Sequence, residues 1–157
     1  MSKENASVSI MWRRYLDSIG EDIESTNKKY ASWYFDNNEK DANELVELVL
    51  RGPKRATASS LWVYEIDGEP IPQEGELSIV TDWNGVAKCI IQTTKVNILP
   101  YKEVDEDFVK KESEGDCSIE YWRCGHERYF EQECKRIGKI FIDDMPVICE
   151  EFEVVFQ

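Results

Sequence analysis

Positive charge is scarce in this chain. Lys and Arg number 19 against 32 Asp and Glu, for a formal net charge of -13 over 157 residues. Phosphate neutralisation supplies most non-specific nucleic-acid affinity, so a chain this acidic excludes a wide basic binding face. Any nucleic-acid contact must be local, a pocket for a nucleotide or a short strand. No apolar run approaches the length of a membrane span, so no membrane partner is expected. The N-terminus, Met1-Ser2-Lys3-Glu4-Asn5, is polar and has no secretory hydrophobic region, and a cytoplasmic location is expected. Five cysteines, an odd number with no signal peptide and no C-x2-C pairing, argue against a disulfide framework. They also argue against a structural zinc site built from Cys117, Cys124, His126 and Cys134, so free and mostly buried thiols are expected. No segment has the G-x4-G-K-[ST] spacing of a P-loop. Internal repeats, low-complexity tracts and linkers are missing too. A single domain is expected, with roughly two-thirds of its unfolded surface buried.

What is present reads as helices, then strands, then helices, then strands. Val8, Met11, Trp12, Tyr15, Leu16 and Ile19 recur at helical spacing, and Gly20 can end that helix. Tyr30–Phe35 is aromatic and reads as a short strand. Asn37-Asn38 offers a cap for a helix carrying Ala42, Leu45, Val46, Val49 and Leu50, with Gly52 as its stop. Glu76–Thr81 alternates like a strand, Asn84-Gly85 signals a hairpin, and Val86–Ile98 reads as its partner. Asp105–Glu112 reads as a short helix and Ser118–Ile137 as a longer one, with Ile119, Trp122, His126, Tyr129, Phe130 and Ile137 on one face. Pro146–Phe156 closes the chain as a strand. The segregated order predicts an α+β fold with a mainly antiparallel sheet or small barrel.

The chemistry concentrates after the second helix. Arg51, Lys54 and Arg55 are followed at once by Thr57, Ser59 and Ser60. This run reads as an anion-facing loop rather than a core segment. Were Thr57 to cap a short helix, free amides there would add to an anion site. Lys54 then binds phosphate or activates a hydroxyl, or is simply a cation near a helix end. His126, the one histidine, is either a satisfied residue on a buried helix face or a proton shuttle at a cleft edge. Glu112, Glu114 and Asp116 form an acidic turn that can supply a general base, bind a divalent ion or cap the following helix. Trp33, Tyr34 and Phe35 are core aromatics or a stacking platform for a base.

Gly52-x-Lys54-x-Ala56-Thr57-Ala58-Ser59 resembles the signature of the ASCH domains, relatives of the PUA RNA-binding domains. The aromatic stretch Trp33-Tyr34-Phe35 stands before the helix leading into it. Glu112-Ser113-Glu114-Gly115-Asp116 is similar to the Glu-Gly-x-Gly-Asp turn of a longer ASCH subgroup, with Ser113 where Gly is usual. Trp122-Arg123-x-x-His126 followed by Tyr129-Phe130 resembles that subgroup's next helix. The likeness runs from about residue 30 to the C-terminus.

The resemblance implies a small PUA-like β-barrel flanked by helices, here as one domain (1–157) with an N-terminal helical extension over about 1–29. It also implies RNA, nucleotide or modified-nucleoside recognition in a cleft at the Lys loop. Family activities are a metal-dependent ribonuclease in a longer member and hydrolysis of N4-acetylcytidine by Lys, Thr and Glu in a shorter one. Carried over, Lys54, Thr57 and Glu112 are the catalytic candidates, with Glu114 as the other carboxylate in the right region. Trp33, Tyr34, Arg55, Ser59, Glu114, Arg123 and His126 are the substrate-binding candidates. The leading expectation is an RNA- or nucleotide-binding protein with metal-dependent ribonuclease activity, for which a divalent cation (Mn or Mg) would be the cofactor. The alternatives are an amidohydrolase of N4-acetylcytidine-type nucleosides and a non-catalytic RNA-binding module. Lys54, Thr57, Glu112 and His126 should then converge in one cleft.

Overall fold

A computed structural model describes residues 3–157. Met1 and Ser2, part of the polar N-terminus read above, lie outside the described residues. The elements are α1 (Ala6–Ser18), β1 (Tyr30–Trp33), α2 (Glu39–Leu50), β2 (Ala56–Ser60), α3 (Leu61–Asp67), β3 (Leu77–Thr81), β4 (Ala87–Pro100), α4 (Glu106–Glu112), α5 (Ile119–Arg136) and β5 (Pro146–Phe156). A single 3-10 turn, Tyr101–Glu103, precedes α4. The strands form one mixed five-stranded sheet in the order β1-β3-β4-β5-β2. β1 runs parallel to β3, while the β3–β4 and β2–β5 pairings are antiparallel. The fold is therefore α+β, as the order of elements predicts.

The chain divides into two compact units. Unit 1 is the chain up to Arg51 with Gly75–Gln92 and Glu153–Gln157; unit 2 is Gly52–Glu74 with Thr93–Phe152. In unit 1, Asn5 caps α1 by accepting from the Ser7 amide at 2.9 Å, and the helix buries Val8, Trp12, Tyr15 and Leu16. These side chains pack with Leu77 and Ile79 of β3 and Ile90 of β4, where Ile79 faces Ile90 across the ladder. Burial of each large aliphatic contributes about 1.5–3 kcal/mol. Asn38 caps α2 through the Asp41 amide at 2.9 Å, and the helix buries Ala42, Val46 and Val49. Gly52 follows at φ 105°, a left-handed conformation that favours glycine and stops the helix. The Asn84-Gly85 hairpin forms with a longer loop than two residues. Asp82 Oδ1 accepts from the amides of Asn84 and Val86, both at 3.0 Å.

In unit 2 the core joins Ala56 and Ala58 of β2, Val147 and Cys149 of β5, Phe108 and Val109 of α4, and Trp122, Phe130 and Cys134 of α5. Ser118 caps α5 through the Tyr121 amide at 3.1 Å. Cys134, rather than the expected Ile137, continues the buried face of that helix.

The main correction concerns the cation-hydroxyl run. It is not a loop: Ala56–Ser60 is strand β2, and its residues alternate between buried and half-buried. Thr57 is the one good strand former here and Ala carries little strand signal, so the strand leans on its full pairing with β5 from Ala56↔Glu151 to Ser60↔Val147. Thr57 consequently caps no helix. Ser60 holds the cap position of α3 but makes no side-chain cap bond, and its hydroxyl faces Met145 Sδ at 3.3 Å instead.

Candidate functional site

Lys54 lies just before β2, and its side chain turns inward until it is 1% exposed. Its Nζ donates to the Ala56 carbonyl at 2.8 Å, approaches Glu114 Oε2 at 3.4 Å and stands 4.0 Å from Glu112 Oε2. A buried ammonium is tolerated only with such compensation.

Both carboxylates come from the turn between α4 and α5. Asp105 caps α4 through the Phe108 amide at 3.0 Å, and Glu112 is the helix's last residue, fully buried. Ser113 then reverses the chain at φ 53°, Gly115 follows at 58° and Cys117 at 63°. Ser113 thus carries a left-handed conformation that the glycine of the resembling subgroup would adopt freely, a strain of about 1–3 kcal/mol. Gly115 is favoured by its φ, and a Cβ there would also displace the exposed Tyr121 ring. Asp116 and Ser118 use their side chains to cap this turn and α5, respectively.

α5 supplies His126. Its ring stacks on Trp122 at 4.1 Å and 16°, and Trp122 in turn stacks on Tyr101 at 5.5 Å and 18°. Nδ1 lies 2.9 Å from the Trp122 carbonyl, while Nε2 lies 3.1 Å from Glu112 Oε2 and 3.9 Å from Glu114 Oε2. Both nitrogens face oxygen acceptors, an arrangement that favours the doubly protonated ring. Burial disfavours that cation, but the Glu112 carboxylate outweighs burial and raises the His126 pKa. The π face of Trp122 adds to the stabilisation.

The carboxylates are driven apart. Burial would raise the Glu112 pKa, yet His126 and Lys54 outweigh it and hold Glu112 well below the usual carboxylate range. Its oxygens accept no hydrogen bond of good geometry, so the charge rests on these ion pairs. Glu114 is raised to about 8, first by burial, against Lys54, and then by the Glu112 charge beside it. Its side chain is 21% exposed and that of His126 13%, against 1% for Glu112. The pair therefore divides, with Glu112 favoured as the ionised carboxylate inside and Glu114 as the one that holds its proton longer, towards solvent. Nearby, the Cys149 thiol is pushed up to about 12 by burial and then by Glu112.

Glu112, Glu114 and His126 also form the metal-ligating group found among the described residues, with donor atoms within 4.8 Å of one another. A resident divalent ion does not fit it. The Lys54 ammonium, fixed to the Ala56 carbonyl, already sits 3.4 and 4.0 Å from the two carboxylates and supplies the positive charge such an ion would bring.

Lys54, Glu112, Glu114 and His126 are thus brought together. Thr57 takes part in none of these contacts. Strand alternation puts it, with Ser59, on the face of β2 away from the Ala56–Ala58 core. Arg55 is half-buried, and its guanidinium donates to the Lys54 carbonyl at 2.7 Å. Arg123 is exposed on α5. Trp33 and Tyr34 belong to unit 1, where Trp33 meets Phe35 edge-on at 5.0 Å and Tyr34 lies 4.9 Å from Trp83. Trp122 and Tyr101, the stack beneath His126, were not singled out as site residues. The i, i+4 spacing of Trp122 and His126 on α5 is the signal that marks the first of them.

No described helix is long and apolar enough to cross a membrane. The ASCH domain family model matches residues 31–156. Similar in structure is an ASCH domain from Lactobacillus crispatus JV V101, at 35% identity and a TM-score of 0.90, covering 100% of this chain and 99% of that one. Protein EF3133 from Enterococcus faecalis V583, described under DUF984, matches at 33% identity and a TM-score of 0.85 over 96% of this chain and 88% of its own. The hypothetical protein PH0355, at 19% identity and a TM-score of 0.51 over 79% of this chain and 99% of its own, shares the fold alone. No curated protein matches the chain. The chain belongs to the ASCH domain family.

Proposed function

We propose that this ASCH protein binds a nucleoside or nucleotide at the Lys54 cluster and hydrolyses it by proton transfer, with the amide of an N4-acylated cytidine as the substrate class that fits best. The observation that carries this reading is the nearness of the Lys54 ammonium to both carboxylates, 3.4 Å from Glu114 and 4.0 Å from Glu112, where it supplies positive charge that a catalytic metal would otherwise bring. That favours amide hydrolysis over the metal-dependent ribonuclease expected from the sequence. The net charge of -13 argues the same way, since it repels a long polyanion but not a nucleoside.

Glu114 is the acid–base group. Its pKa near 8 matches proton transfer close to neutral pH, and it is the carboxylate that reaches solvent. Ionised Glu114 takes a proton from water as the water oxygen bonds to the acyl carbon. The same proton then goes to the departing amine as the C–N bond breaks, leaving a carboxylic acid and cytidine. Lys54 and His126 offset the negative charge that develops on the acyl oxygen. Glu112 keeps both cations in place. The same reading takes the chain as one ASCH domain with a helical extension over about 1–29, and its sheet as the PUA-like barrel of the family. It also assigns Thr57, Ser59, Arg55 and Arg123 to substrate contact.

The test is a panel of modified nucleosides, nucleotides and short RNA oligomers offered to the wild type and to Lys54→Ala. Acetate release from N4-acetylcytidine by the wild type, lost in Lys54→Ala, is the expected result. RNA cleavage that requires added Mn²⁺ or Mg²⁺ would replace this reading with the ribonuclease. Steeply salt-dependent RNA binding without turnover would replace it with the non-catalytic module.

A further inference from the structure

Trp122 is an expensive residue for the place it fills. It is 2% exposed, and its Nε1–H meets no hydrogen-bond acceptor among the described residues. An unpaired buried N–H is costly, and a Phe would bury an aromatic ring there without one. What the indole adds is a broad flat face. That face lies 4.1 Å from the His126 ring at 16°, and the Trp122 carbonyl stands 2.9 Å from His126 Nδ1. Phe130, fully buried one turn further along α5, closes on the imidazole at 5.8 Å and 56°. Trp122 is backed in turn by Tyr101, at 5.5 Å and 18°. Tyr101 is itself tied down at both ends: its amide donates to the Met145 carbonyl at 2.8 Å and its hydroxyl to Glu127 Oε1 at 3.1 Å. The imidazole is thus held at its face and at Nδ1, with Nε2 directed to the carboxylates at 3.1 and 3.9 Å.

We infer that Trp122, backed by Tyr101, is a positioning residue that fixes the plane of the His126 ring and so aims Nε2 at the reacting acyl group. This rests on the reading of His126 as a cation that offsets charge on the acyl oxygen. An imidazole free to turn about χ1 and χ2 would direct Nε2 elsewhere for part of the time. The stack removes that freedom before substrate arrives, so no reorganisation is needed as the charge develops. That charge appears in the transition state, so the stack acts on kcat rather than on KM.

Two measurements test it, with Trp122→Leu removing the flat face and Trp122→Phe keeping one. Three-bond couplings at His126 should report one χ1 rotamer in the wild type and in Trp122→Phe, and averaging in Trp122→Leu, with circular dichroism showing each variant folded. Averaged couplings in the wild type, or unchanged couplings in Trp122→Leu, would overturn the inference. Should Trp122→Leu not fold, Trp122→Met, which fills irregular core space without a ring, takes its place with the same expectation. The second measurement is acetate release from N4-acetylcytidine. Here Trp122→Leu should lower kcat about tenfold with KM within about twofold, and Trp122→Phe should recover kcat to within about threefold of the wild type. The Trp122→Leu/His126→Gln double variant should be no slower than His126→Gln alone. An unchanged kcat in Trp122→Leu, no recovery in Trp122→Phe, or additive losses in the double variant would count against Trp122. If the wild type releases no acetate, the hydrolytic reading fails by itself, and the couplings alone decide for or against Trp122.

Discussion

In unit 1 the buried polar side chains among the described residues are the hydroxyls Ser78 and Thr81, whereas unit 2 buries Lys54, Glu112 and Glu150 as well as Ser60 and Thr93. Both units have an apolar cluster of similar kind, so the contrast is not one of core quality. Unit 1 shows what this chain does when packing alone decides: Ile79 faces Ile90, and α1 closes over them. Unit 2 retains charges that packing alone would remove, and it holds them with a strained turn at Ser113, Gly115 and Cys117. Strain and buried charge coincide where the surroundings over-determine a site.

The largest effect should come from Lys54→Ala, which leaves Glu112 with His126 as its one remaining cationic partner in the cluster. Breaking a buried pair from one side costs about 3–5 kcal/mol. Denaturant unfolding should show that loss, with hydrolysis reduced by at least about 100-fold. In unit 1, Ile79→Ala should cost about 2–5 kcal/mol through the cavity it leaves, while kcat per folded molecule stays the same. A drop in kcat at Ile79 would erase the contrast between the units.

A smaller effect follows from pH. Glu114 has a folded pKa above its unfolded value near 4.3, so its contribution to stability is present in acid and is lost as pH rises to about 8. His126, also raised, loses its contribution as pH rises through its folded pKa. Glu112, lowered, contributes above its unfolded pKa and loses that contribution as pH falls. Stability should therefore decline between pH 7 and 9, by about 1 kcal/mol from Glu114. Chemical unfolding of Glu114→Gln across that range should show a shallower decline than the wild type. The smallest effect is expected from Tyr34→Ala. Tyr34 is 43% exposed, so its loss should cost under about 1 kcal/mol.

Periodicity made α1, α2 and α5 legible and alternation made β3 and β5 legible, while β1 was read from its aromatics and β4 from the Asn84-Gly85 turn before it. Neither signal exists for β2 and α3. Ala-Thr-Ala-Ser-Ser becomes a strand through its partner β5, nearly a hundred residues away in sequence, and α3 buries none of its seven side chains. The residue types of the site were visible as the cation run, the acidic turn and the lone histidine. Their arrangement was not. The burial of Lys54 depends on carboxylates that α4 and its left-handed turn deliver from positions 112 and 114. That dependence also reverses the weight given to the two glutamates. Sequence favoured Glu112 as the working carboxylate; His126 and Lys54 hold its pKa low while burial raises that of Glu114, so the proposed acid–base role falls to Glu114.

The most direct measurement is the pH dependence of kcat/KM for acetate release from N4-acetylcytidine in excess EDTA. Full activity without metal is expected, rising with pH through about 8 as Glu114 ionises and abolished in Glu114→Gln. Activity that vanishes in EDTA and returns with Mn²⁺, or a profile that Glu114→Gln leaves unchanged, would contradict it.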